Sequence, residues 1–261
     1  MSTTTAHARG HGSTDTPILH AEAITHTFGS LLVTDSVTLE LAPGERHGLI
    51  GPNGAGKTTL FNIIAGEIVP DSGSVHLGGV DVTRLKPDRR ARLGLARSFQ
   101  HNNLFTDLTV RENLSIAGAI AHRVGHVAWR AFARHREVHA SAESLAVALG
   151  LEEVLDTVVR HLSYGTQRQL EIALALALDP MILLLDEPTA GMSPEETAAM
   201  KAMIAALPAS LTLLVIEHDM EVLFDLADRI TVLDYGKVLL QGTPREVRDS
   251  DVVRSRYLGM Q

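Results

Sequence analysis

The apolar and polar positions fall into recognisable periods from residue 18 onward. "ILHAEAITHTF" (18–28) and "SVTLELA" (36–42) alternate and carry β-branched residues, so both predict strands. Pro43-Gly44 marks a turn. "RHGLI" (46–50) reads as a short buried strand running into a glycine-rich loop. From Lys57, "KTTLFNIIAGEI" places Leu60, Ile63, Ile64 and Ile68 at helical spacing. "SGSVHLGGVDV" (72–82) predicts a hairpin around Gly78-Gly79. From about 86 to 170 the pattern is helical with few strand signals, and 119–149 is rich in Ala, Arg and His. Strands return as "MILLL" (181–185), "LTLLVI" (211–216) and "RITVLD" (229–234), with helical stretches between them. Apolar strands alternating with helices imply a parallel sheet covered on both faces. The expected class is α/β, with an antiparallel N-terminal β portion and an inserted helical portion.

Composition narrows this picture. The 261 residues can bury a substantial core. The net charge of −8 excludes a general nucleic-acid footprint. With no cysteine, disulfides and thiolate metal sites are excluded. "MSTTTAHARGHGSTDT" lacks the apolar core of a signal peptide, and residues 1–16 read as a disordered tail. The richest apolar tract, Ile172 to Leu185, is broken by Asp179 and Pro180, so no run approaches bilayer-spanning length.

Five motifs carry chemistry. "GPNGAGKT" (51–58) matches G-x-x-x-x-G-K-[ST], with a strand before it and a helix after. Its glycines let backbone N–H groups converge on phosphate oxygens, and the helix adds its positive end. Asn53, Gly54, Ala55, Gly56, Lys57, Thr58 and Thr59 are the candidate nucleotide contacts, with Lys57 reaching the β- and γ-phosphates and Thr58 a Mg²⁺ ligand. "MILLLDEP" ends a buried strand in two carboxylates at the rim where open α/β sheets bind ligands. Asp186 would hold Mg²⁺ through water, and Glu187 would polarise the attacking water. Alone, such a pair is usually a solvated loop start. His218 follows "LTLLVIE" on the same rim and could align water on the γ-phosphate; a lone His is otherwise a surface residue. Gln100, in "LARSFQHNNLF", could contact both Mg²⁺ and water, although a loop Gln is ordinarily uninformative. In "HLSYGTQRQLEIALALAL" (161–178), Ser163 suits a helix start and Gly165 a close backbone approach. That is either a plain N-cap or a second phosphate cradle, serving another subunit's nucleotide.

These pieces, in this order, resemble the ATPase subunit of ATP-binding cassette (ABC) transporters over roughly residues 17–259. "GPNGAGKTT" resembles the Walker A loop, "RSFQ" the Q-loop, "LSYGT" the signature, "ILLLDEP" Walker B, "AGMS" (190–193) the D-loop and "IEHD" the H-loop. The resemblance implies a P-loop NTPase core at 17–100 and 171–261 and a helical insertion at about 101–170, within one domain spanning 17–261. It implies two cassettes stacked head to tail, identical or sister chains. ATP would lie between Walker A of one and Ser163 and Gly165 of the other. Phe28, in "HTFG", matches the aromatic that stacks on adenine; a core aromatic is the plain alternative. A membrane permease would dock on the helical insertion, with "HNNLFTDL" as the contact patch, and a periplasmic or lipid-anchored solute-binding protein would deliver the solute. The chain would therefore lie at the cytoplasmic face of the membrane.

"GLARSFQHNNLFTDLTVRENL", "LDEPTAGMSPEET" and "QGTPREVRDSDVVRSRYLG" resemble the branched-chain amino acid importer ATPases, with urea cassettes as close relatives. Two positions depart from the wider pattern: Thr166 replaces the last signature Gln, and Ser193 replaces the D-loop Asp. Arg123, Arg130, Arg134 and Arg136 fall in the long linker, where a solvated helix face is the plain reading. Two rivals remain, a cassette acting on ribosomes or DNA and a small-molecule P-loop kinase. The single cassette and negative charge weigh against the first, and the signature against the second.

Overall fold

The computed structural model describes residues 16–98, 104–121 and 136–258. Residues 1–15 of the predicted tail, Gln100 and Arg123, Arg130 and Arg134 lie outside these residues, as do the first three residues of "HNNLFTDL".

Two sheets form the frame. The first is antiparallel: β1 (Leu19–Phe28), β2 (Leu31–Leu41), β4 (Ser72–Leu77) and β5 (Val80–Asp81), in the order β2-β1-β4-β5. Alternation drives it, for Leu19, Ala21 and Ile24 of β1 and Val37, Leu39 and Leu41 of β2 are all fully buried. The second sheet is β3 (Arg46–Ile50), β6 (Leu95–Arg97), β7 (Ile182–Asp186), β8 (Thr212–Ile216), β9 (Arg229–Asp234) and β10 (Lys237–Gly242), in the order β10-β9-β3-β8-β7-β6. All its pairings are parallel except β10 with β9.

The continuous apolar strands serve two cores. Leu184 of β7 and Leu214 and Ile216 of β8 face the antiparallel sheet across helix α1 (Lys57–Ala65). Leu183 and Leu185 of β7 and Leu213 and Val215 of β8 face the opposite core. That core includes α5 (Tyr164–Leu176), α6 (Pro194–Ala206) and α7 (Met220–Leu226), together with α3 (Val110–Ala121) and α4 (Arg136–Ala148). The remaining α-helices among the described residues, α2 (Pro87–Ala91), α8 (Pro244–Asp249) and α9 (Asp251–Val253), are short. A period of two with both faces buried is what a helix-covered parallel sheet requires.

Arg90 is fully buried and closes the carboxyl end of α1, donating from Nη1 to Ile63 O and Ile64 O, both at 2.6 Å. Burial pushes its pKa down to about 10, so it stays cationic against the negative end of the helix.

Three strand assignments differ from the sequence expectation. Strand β2 starts at Leu31 rather than 36, because Leu31 and Leu32 extend the hairpin tip as exposed residues and break the in–out alternation. Strand β6 lies inside the stretch read as helical; only three residues long, it is too short to show a period. Strand β10 was not foreseen, because it is a half-buried edge strand without a clean apolar face.

Candidate functional site

Parallel pairing brings the ends of β3, β7, β8 and β9 to one rim. Asp186 pairs with Ile216, Leu49 with Ile216, and Ile50 with Val232. The loop after β3 then turns sharply into α1. Gly56 caps that helix at φ 98°, and a Cβ there would stand 2.6 Å from Val33 O. A side chain at Gly51 would meet Leu233 O at 2.2 Å. Only glycine fits either position.

Lys57 is buried, and its Nζ donates to Gly51 O at 2.6 Å and Pro52 O at 3.0 Å. The cation thus curls back over its own loop. Burial pulls its pKa down, while Glu187 and Asp186 pull it up. Beside it opens a cleft of about 240 Å³, lined by Asn53, Gly54, Lys57, Thr58, Glu187 and His218 among others. Ala55, Gly56 and Thr59 also line it. The phosphate loop and the two rim residues at positions 187 and 218, far apart in sequence, are therefore brought together.

Asp186 is buried at the end of β7. One oxygen, Oδ2, accepts from Arg97 Nη2 at 3.0 Å; the other, Oδ1, is buried with no hydrogen-bond partner among the described residues. Burial pushes its pKa up, and Arg97 opposes this. An orphaned carboxylate oxygen at the strand end suits Mg²⁺, which keeps several waters and needs few protein ligands. Arg97 also donates from Nη1 to Asn62 Oδ1 and Glu67 Oε1, both at 2.8 Å, and lies over Phe61.

Glu187 adopts a left-handed φ of 49°, and its N–H donates to Ile216 O at 2.9 Å. This sparsely populated conformation turns the side chain from the buried strand toward the cleft. There Glu187 Oε1 lies 2.8 Å from His218 Nε2.

Behind them sits Glu217, buried, which sequence reasoning missed. Its Oε1 accepts from Thr189 N at 2.9 Å and Thr189 Oγ1 at 2.7 Å, and its Oε2 accepts from His218 N at 3.2 Å. Burial pushes its pKa up against these hydrogen bonds. Its one signal was an acidic residue closing an otherwise apolar strand, "LTLLVIE".

The remaining candidates stand apart from the cleft. Phe28 is 52% exposed at the β1–β2 hairpin, edge-on to His26 with ring centroids 4.8 Å apart. Ser163 is the N-cap of α5, its Oγ accepting from Thr166 N at 3.2 Å. Leu170 and Ile172 of that helix are buried, and Leu174 is half-buried. Ser163 Oγ and Gly165 N both donate to Glu196 Oε1, each at 3.3 Å. Ser193 caps α6 in a reciprocal box with Glu196. In a single chain, then, the Ser163 turn does not line the cleft beside Lys57.

Comparison with known proteins agrees with this geometry. Residues 34–190 match the family described as ABC transporter. The chain is 39% identical over 253 residues to the high-affinity branched-chain amino acid transport ATP-binding protein BraF of Pseudomonas aeruginosa, covering 93% of this chain and 98% of that protein. It is 40% identical over 251 residues to the LivG protein of Escherichia coli K12, described in the same words, again covering 93% and 98%. The solved ADP conformation of MJ1267, an ATP-binding cassette of an ABC transporter, superposes with a TM-score of 0.80 at 28% identity, covering 94% of this chain and 99% of that one.

Proposed function

Since the chain belongs to the ABC transporter ATP-binding family, an ATPase family whose cassettes work in transporter complexes, we propose that it powers import of branched-chain amino acids. The observation that carries the reading is the cleft in which Lys57 and Thr58 of the phosphate loop face Glu187 and His218. Identities near 40% to two branched-chain amino acid cassettes support the choice of solute over urea.

Each residue then has a task. The amides of 53–59 and Lys57 hold the β- and γ-phosphates. Glu187 polarises the attacking water, and His218 fixes the carboxylate and meets the γ-phosphate. Thr58 and Asp186, with Gln100, would hold Mg²⁺, which supplies charge neutralisation on the phosphates. Phe28 would stack on the base. Ser163 and Gly165 of a facing cassette would complete the grip on the γ-phosphate. Loss of that phosphate lets the pair part, and a permease converts this two-state motion into alternating access.

Residues 17–261 would act as one domain, with the core at 17–100 and 171–261 and the insertion at about 101–170. An apolar groove of about 340 Å³ between them, lined by Leu104, Phe105, Ile116, Ile120, Leu174 and Leu178, suits a docked permease segment. No helix among the described residues is long and apolar enough to cross a membrane, so attachment at the cytoplasmic face would come through that permease.

The test is reconstitution with the permease and binding protein in vesicles loaded with ATP. Leucine uptake that is lost in Lys57→Ala is expected. Urea uptake without leucine uptake would overturn the solute, and hydrolysis with no uptake of either would overturn the importer reading.

A further inference from the structure

Resting on the facing-cassette reading, we propose that Glu196 is an anionic placeholder in the Ser163–Gly165 cradle, displaced when the opposite chain's terminal phosphate enters. The two groups assigned to that phosphate, Ser163 Oγ and Gly165 N, already converge on a single oxygen, Glu196 Oε1, at 3.3 Å each. The approach is close enough that a Cβ on Gly165 would stand 2.7 Å from that oxygen. The Ser193 amide, with smaller help from the Gly165 amide and the Ser163 hydroxyl, holds the carboxyl below its ordinary range, so it is ionised at neutral pH. A seated carboxylate satisfies donors at the start of α5 that have no partner within the helix. It also repels a second anion at the same donors, so carboxylate and phosphate exclude one another.

Displacement has a consequence within the same chain. The second oxygen, Oε2, accepts from Ser193 N at 3.1 Å, which ties Glu196 to the 190–193 turn. That turn is tied in its own right to the catalytic rim: Ala190 N donates to Glu187 O at 3.1 Å, and Thr189 reaches His218 through Glu217. A phosphate arriving from the opposite chain is thereby reported to this chain's own Glu187 and His218. Both departures from the family pattern fall on this path. Thr166 Oγ1 lies 3.0 Å from Ser163 Oγ, and Ser193 is the other half of the capping box.

Glu196→Gln separates charge from capping, because Gln serves the same box. In a Glu187→Gln background, the ATP concentration for half-maximal pairing is read by sedimentation velocity, and ATP affinity of the monomer is read separately at low protein concentration. The double variant should pair at about tenfold lower ATP, within the usual range of coupling between sites. Its monomer affinity for ATP should not change. A midpoint that is unchanged or higher overturns the placeholder role while the paired cassette stands. A Glu187→Gln parent that stays monomeric in ATP overturns the paired-cassette reading, and this inference with it.

Discussion

His218 Nε2 and Glu187 Oε1 stand 2.8 Å apart at the mouth of the phosphate cleft. The imidazole holds the carboxylate that the left-handed backbone has already turned outward. His218→Ala should therefore lower ATP turnover about 100-fold, the low end of general-base contributions, with nucleotide affinity almost unchanged. Steady-state hydrolysis beside calorimetric ATP titration separates the two. A fall in affinity with intact turnover would place His218 in binding instead.

Lys57 bonds to the carbonyls of its own loop, and under the proposed function those bonds are traded for phosphate oxygens. A charge-assisted hydrogen bond is worth about 1.5–3 kcal/mol, so Lys57→Ala should weaken ATP binding by roughly tenfold or more. Undiminished affinity would mean that the loop amides alone grip the nucleotide.

Arg97 offsets the charge of buried Asp186, with Nη2 3.0 Å from Oδ2. Removing one partner of a buried pair costs about 3–5 kcal/mol, so Arg97→Met should lose stability on that order in urea unfolding. Adding Asp186→Asn should recover part of the loss, because no uncompensated charge remains. Additive losses would show that Arg97 acts mainly through Asn62, Glu67 and Phe61.

Glu217 gives a pH signature. Its folded-state pKa is raised by burial, so between the unfolded and folded values the native chain holds the extra proton. Stability contributed by this group is present below the unfolded value and lost as pH rises through the folded one. Glu217→Gln removes that loss. Its melting temperature relative to the native protein should rise as pH climbs from the ordinary carboxylate range, then level off. A difference independent of pH would mean that the carboxyl is not strained by burial.

What was legible in the chain follows the locality of the physics. The phosphate loop was readable because its backbone demands are met by residues 51–58 themselves. Strands β3, β7, β8 and β9 were readable because burial on both faces gives each an apolar run. Strand β10 was not, since an edge strand keeps a mixed pattern. The carboxylate of Glu217 and the contact of Glu196 with Gly165 were hidden for another reason. Their meaning depends on partners 28 and 31 residues away that only the fold brings near. Ser163 was legible as a cap but not as a group already holding an anion.

On the proposed function, one terminal phosphate is gripped by two chains. Because the chain contains no cysteine, a pair of introduced thiols reports this without background. Asn53→Cys and Tyr164→Cys in the Glu187→Gln protein place one thiol on the phosphate loop and one beside Ser163. Under mild oxidation, a disulfide-linked dimer that forms with ATP and not with ADP is predicted. Cross-linking that ignores the nucleotide, or none with ATP, would contradict the account.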